Sequence, residues 1–196
     1  MCIHYRLEEE AKAALTAEYG VLPNSPTSGD MYPDRVGLVG RFNENGAVGF
    51  DAMRWGFPPV QGSYVVNVRH PEKPFWRGWL DPQWRCLVFA TRFAEWSAGP
   101  PKGNRWFRTT DGEPFAFAGI WRPWTGTRGT KANPVEGEHK LFAFLTCEPN
   151  SVVAPIHPKA MPVILAQSDW AQWLEGSIEQ ALKLQRPLPS EELLRM

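Results

Sequence analysis

Residues 85–96 read RCLVFATRFAEW, and the way they pair decides the fold. From Arg85 to Phe93 apolar and aromatic residues dominate with no helical spacing, so the stretch reads as a strand. Two residues further on, Glu95 sits between Ala94 and Trp96, an acidic group in apolar company.

Reading outward, the neighbouring segments have the same character. Upstream, VGLVGRF (36–42) and AVGFDAMRW (47–55) flank NENG, a turn signal, and predict a hairpin. Downstream, NRWFRTT (104–110), DGE and PFAFAGIW (114–121) predict strand, turn and strand. Residues 122–140 read as a polar loop, KLFAFLTC (140–147) as a strand and MPVILA (161–166) as a short one. Helices are expected only towards the two ends. Residues 7–18, LEEEAKAALTAE, place Leu7, Ala11 and Leu15 on one stripe, with Gly20 to end the helix. Ser168 is the expected N-cap of a helix carrying Trp170, Trp173, Leu174, Ile178 and Leu182 on one side. The tail from Pro187 is expected to dock loosely or fray. The pattern predicts an α+β chain, mainly β, with peripheral helices.

With 196 residues and no convincing linker or repeat, one domain over 1–196 is expected, its motifs in 1–165 and a helix and tail in 166–196. Ten tryptophans and 19 prolines suit long, ordered, irregular segments. The formal net charge of +0 gives no global basic field, so any nucleic-acid face must be local. Cys2, Cys86 and Cys147 are far apart; the last two lie in apolar runs and read as inert core residues. An odd cysteine count without a leader predicts a reducing, cytoplasmic setting. The apolar runs are too short to cross a membrane as helices, and His4, His70, His139 and His157 lack metal-ligand spacing.

Four residues could carry chemistry. Cys2 follows the initiator methionine; loss of Met1 would leave one residue with two nucleophiles, an α-amine and a thiol. A 1,2-aminothiol condenses with an aldehyde through an imine to a thiazolidine ring. Glu95 should be desolvated, which raises a carboxyl pKa and suits a general acid/base. His157, between Pro155 and Pro158, could be a proton carrier in a fixed loop. Asn67 directly follows an apolar run and could position a substrate. Three of them also have a bland reading: a frayed terminus for Cys2, a surface position at a strand end for Glu95 and an idle loop position for His157. Basic residues interleave with aromatics at Arg54-Trp55, Trp76-Arg77, Trp84-Arg85 and Arg105-Trp106. This alternation suits either a groove for single strands or ordinary strand patterning.

The ordered set MC at 1–2, RWGF at 54–57, NVR at 67–69, RCLVFATRFAEW, FAFAGIW at 115–121, FLTCEPN at 144–150 and IHPKAMPVIL at 156–165 resembles the SRAP family, the abasic-site-processing proteins. The resemblance implies a single fold with a barrel-like β core of mixed sheets. It also implies a covalent thiazolidine between the mature N-terminal cysteine and an abasic site in single-stranded DNA. By motif, Cys2 would be the nucleophile, Asn67 would position the sugar, Glu95 would shuttle protons, and His157 would assist ring opening and reversal. Arg69, with Lys73, Thr146 and Lys159, would contact DNA. Processing of the protein's own N-terminus and lyase action at abasic sites are further implied, as is a monomer associated with the nucleoid when on DNA. No cofactor, metal or membrane is implied. Ile3-His4 stands where the family has Gly-Arg. Two rivals remain: an N-terminal-nucleophile or Cys-His peptidase or amidase, and a noncovalent module for single-stranded nucleic acid.

Overall fold

A computed structural model describes residues 2–19, 27–42, 46–59 and 62–196. The 85–96 stretch is two strands rather than one, because the chain changes sheet at Thr91. Thr91 donates both its N–H (2.7 Å) and its hydroxyl (3.0 Å) to the carbonyl of Arg6, which fixes the corner.

In chain order the elements begin with β1 (His4–Leu7), α1 (Glu9–Tyr19), β2 (Gly29–Met31), β3 (Val36–Phe42), β4 (Val48–Trp55), β5 (Asn67–Val68) and α2 (Pro74–Arg77). They continue with β6 (Arg85–Ala90), β7 (Arg92–Ser97), β8 (Gly103–Thr109), β9 (Phe115–Thr130), β10 (Asn133–Cys147), β11 (Met161–Pro162) and β12 (Ile164–Leu165), and end with α3 (Trp170–Glu175), α4 (Ile178–Leu182) and β13 (Leu193–Arg195). One sheet runs β13-β8-β7-β1-β2, antiparallel throughout. The other runs β11-β10-β4-β3-β6-β9-β12, with β5 added beside β10. It is mixed, since β10 lies parallel to β4 and β5. The α+β expectation holds: the fold is mainly β, two sheets around one core, with short helices at the periphery.

Aromatic rings join the sheets. Tyr5 of β1 meets Trp55, Phe117 and Phe144 at 5.1, 5.7 and 6.2 Å, and Phe93 of β7 meets Phe117 at 6.2 Å. Gly37 of β3 makes room for this packing, since a Cβ there would lie 2.5 Å from the Tyr5 hydroxyl. Every residue of β6 is buried, because α3 covers its other side: Trp170 packs on Phe89, and the Trp173 indole donates to the Cys86 carbonyl at 2.9 Å.

Several expectations are corrected. Residues 122–140 are not a loop; they extend the β9–β10 hairpin from the core out to Thr130 opposite Asn133. Its outer strands carry little apolar pattern, so support comes from elsewhere. The buried Arg128 donates to the Gly56 carbonyl (2.7 Å) and, through Nε, to Asp34 (2.8 Å), whose other oxygen accepts from the Gly129 N–H (3.0 Å). Leu7 belongs to β1 rather than to the first helix, and Gly20 lies outside the described residues, as do positions 43–45 of the expected turn. The C-terminal helix breaks at Gly176, and Ser177 rather than Ser168 is the capping residue, in a reciprocal box with Gln180. The guanidinium of Arg85 donates to the Trp173 and Gly176 carbonyls at that break. The tail does not fray: β13 pairs with β8, and Met196 N–H donates to the Trp106 carbonyl at 2.9 Å.

Candidate active site

β1 lies between β7 and β2, so Cys2, two residues before it, is presented at the inner part of a sheet rather than at an edge. Cys2 is 1% exposed. Its Sγ donates to the His4 carbonyl at 3.6 Å and lies 3.9 Å from the Ala94 carbonyl. Burial pushes the thiol pKa up, and the nearby Glu95 charge adds to this, while the bond to His4 and the N-terminal ammonium oppose it. Glu95 comes from β7, on the strand that pairs with β1, and is 2% exposed. Burial raises its carboxyl pKa to about 7, against the pull of the N-terminal ammonium. Glu95 and Cys2 are thus within electrostatic reach of each other, and Glu95 is desolvated as its sequence context predicts.

Asn67 is in β5, in register with Phe144 of β10. Its Nδ2 donates to the Val66 carbonyl at 2.9 Å, the same oxygen that accepts from the Trp55 indole at 3.0 Å. The Asn67 Oδ1 is buried without a partner among the described residues. The two residues beside it, Trp55 and Phe144, stack on each other and both meet the Tyr5 ring of β1. His157 lies in the turn between β10 and β11, where its N–H donates to the Val153 carbonyl (2.9 Å). Its Nδ1 lies 2.8 Å from the Ala160 carbonyl and 3.2 Å from the Ala160 N–H, so the backbone of Ala160 holds the ring by that nitrogen. Burial lowers the His157 pKa; the bond to Ala160 opposes this, while the N-terminal ammonium and Lys159 charges lower it further.

The basic candidates are placed unevenly. Arg69 pairs with Glu148, and its Nη1 is buried without a partner among the described residues. Gln185 donates to the Arg69 carbonyl (2.9 Å) and the Thr146 carbonyl (2.8 Å), which binds the C-terminal segment to this edge of the site. Lys73, at the N-cap of α2, and Lys159 are exposed, whereas Thr146 is only 3% exposed and lies beneath the surface. The wider Arg/Trp stripe is not a continuous groove: Arg85 and Trp55 are core residues. Sequence reasoning passed over one feature, a clasp on the ring of His4 built by Asp30 and Asn104. Its parts lie 26 and 100 residues apart, and only the departure from the family pattern at position 4 marked it.

Two sizeable clefts, about 300 and 410 Å³, lie elsewhere, around Ala14, Glu113 and Pro114, and none of the four candidates lines them. Among the described residues there is no cluster of His, Cys, Asp and Glu that could hold a metal, and no helix is long and apolar enough to cross a membrane. Cys2 and Glu95 together offer a buried thiol and a carboxyl poised near neutrality, while the other sheet presents a histidine held at Nδ1 and an unsatisfied amide oxygen. Those groups suit acid/base-assisted addition to a carbonyl.

Solved structures share this fold. A protein from Bordetella bronchiseptica superposes with a TM-score of 0.79 at 20% identity, covering 99% of this chain and 98% of its own. One from Bacteroides thetaiotaomicron gives 0.72 at 20% identity, covering 99% and 90%. A phage-related protein from Bordetella bronchiseptica gives 0.68 at 19% identity, covering 100% and 92%. No curated protein matches the chain. The family described as SOS response associated peptidase (SRAP) matches residues 1–195, essentially the whole chain, and the chain belongs to it.

Proposed function

We propose that, once Met1 is removed, this protein captures abasic sites in single-stranded DNA as a thiazolidine on Cys2. The α-amine adds to the C1′ aldehyde of the ring-opened deoxyribose, and water leaves as the imine forms. The sulfur then adds to the imine carbon: a C–S bond forms, the C=N pair moves to nitrogen, and nitrogen takes the proton that the thiol gave up. Water is the only by-product, and nothing is oxidised or reduced. Ring closure is intramolecular, so holding amine and thiol in one geometry gives a high effective molarity.

The observation that carries this reading is the pairing of a buried N-terminal thiol with a buried carboxyl whose pKa is about 7. Near neutrality Glu95 is populated in both forms, so it can take the thiol proton and return one to the departing water. His157 would protonate the ring oxygen as the sugar opens. The free Oδ1 of Asn67 would accept from a sugar hydroxyl. Arg69, Lys73 and Lys159 would hold phosphates, with Thr146 acting through the strand beneath them. The protein would act as a monomer, in the cytoplasm and at the nucleoid. The same imine allows strand cleavage by β-elimination.

A second reading, a Cys-His peptidase using Cys2 and His157, is favoured by the description of the family. Mixing the protein with an oligonucleotide bearing one abasic site separates the two. The proposal expects an adduct that survives denaturation and is lost in Cys2→Ala; the peptidase reading expects none.

A further inference from the structure

The His4 ring is held on every side. It lies in β1, two residues after the nucleophile, and is 6% exposed. Its Nε2 is 3.0 Å from the Asp30 carboxylate of β2, and its Nδ1 is 3.1 Å from the Asn104 amide nitrogen of β8. One neutral tautomer satisfies both contacts: Nε2–H donates to Asp30, and Nδ1 accepts from Asn104. Tyr32 stacks on one face at 4.2 Å, and Trp106 meets the ring edge-on at 4.4 Å. Asp30 is itself held by Arg6 at 3.7 Å. The ring therefore ties β1 to the strand on one side and, across β7, to the second strand on the other.

The backbone of the same residue carries the thiol's acceptor. The His4 carbonyl accepts a hydrogen bond from the Cys2 thiol at 3.6 Å, and His4 is in register with Ala94, whose carbonyl lies 3.9 Å from that sulfur. A chain terminus ordinarily frays. After loss of Met1, Cys2 would be the first residue, with only Ile3 between it and the sheet. We propose that His4 is a positioning residue: its ring, clasped by Asp30 and Asn104, fixes the carbonyl that orients the Cys2 thiol beside Glu95 for ring closure. The inference rests on the thiazolidine reading and names what holds its nucleophile still. It assigns His4 no contact with DNA.

The test is single-turnover crosslinking of processed protein to an abasic oligonucleotide, over a range of DNA concentrations, with His4→Leu and His4→Gln. Leucine fills the space and removes both hydrogen bonds. Glutamine keeps one donor for Asp30 and one acceptor for Asn104. The expected result is a fall of about 10- to 100-fold in the saturating rate for His4→Leu with little change in half-saturating DNA, as for a nucleophile displaced by about 1 Å. His4→Gln should recover most of that rate. Asn104→Ala, which removes only the Nδ1 partner, should fall between them and serves if His4→Leu does not fold.

A DNA-free arm uses iodoacetamide, with peptide mass mapping to follow Cys2 alone. His4→Leu should label faster than wild type as the sulfur is released, and His4→Gln should label at the wild-type rate. The proposal is overturned if His4→Leu keeps the saturating rate and only weakens DNA binding, or if His4→Gln loses as much as His4→Leu. If wild type forms no adduct, the thiazolidine reading fails, and the labelling rates still decide whether the clasp holds the thiol.

Discussion

In the proposed chemistry Glu95 carries the protons, and its environment has consequences for both rate and stability. Its folded pKa of about 7 lies above the ordinary value of 4.5, so the folded state holds this proton more tightly than the unfolded chain does. The contribution to stability is therefore complete below pH 4.5 and is lost as pH rises through 7. Replacing Glu95 by Gln removes the titration. The loss of melting temperature between pH 5 and pH 8 should be smaller in Glu95→Gln than in wild type, measured by thermal denaturation in matched buffers. The crosslinking rate of wild type should have a limb with a midpoint near pH 7 that is absent in the variant. A second expectation concerns packing. At Gly37 an added methyl meets the Tyr5 hydroxyl at 2.5 Å and Phe142 at 3.3 Å, both in the core. Gly37→Ala should cost about 1–3 kcal/mol in urea denaturation, the usual range for overpacking.

At this scale the sequence was informative wherever a polar residue broke an apolar run. Glu95 is buried and raised, and Cys86 and Cys147 are core residues, as their contexts predict. The ring of His4 could not be read the same way, because its partners, Asp30 and Asn104, reach it only through strand pairing.

Among the elements, the long β9–β10 hairpin is the one least visible in the sequence. Residues 122–140 carry Thr, Gly and charge in place of an alternating apolar face, and a loop is the natural reading of that composition. What holds the arm is one buried arginine and a carboxylate 94 residues away. Asp34 has φ 73, in the left-handed region, which aims its side chain at Arg128 and the Gly129 N–H together. Removing Arg128 leaves the Gly56 carbonyl without that donor and Asp34 with only the Gly129 N–H and the Arg54 guanidinium. Arg128→Ala should lose about 3 kcal/mol, the lower end of the range for breaking a buried ion pair, because Arg54 stays beside Asp34. Amide exchange should rise first in residues 125–139, and the saturating crosslinking rate should be unchanged. The split of 85–97 into β6 and β7 was also hidden, because Thr91 fits a strand as well as a corner, and only its bonds to Arg6 distinguish them.

Over the whole molecule, two sheets share one core, and the change of sheet at Thr91 gives the site its position. The strand that leaves the corner, β7, carries Glu95 and pairs with β1, so the carboxyl and the chain start meet by topology. The fold class was legible from strand-like segments flanked by helical ends, and family membership accounts for their order. Sheet order was not legible, since the parallel pairing of β10 with β4 and β5 joins segments with no local signal for each other.

The central claim is that amine and thiol of one residue act together. The measurement that tests it most directly is the intact mass of the adduct formed, without borohydride, by protein lacking Met1 and by protein retaining it. The account predicts a denaturation-resistant adduct, equal to protein plus oligonucleotide minus one water, from the processed form only. Formation of the same adduct by the form that keeps Met1, or by processed protein with Cys2→Ala, would contradict it.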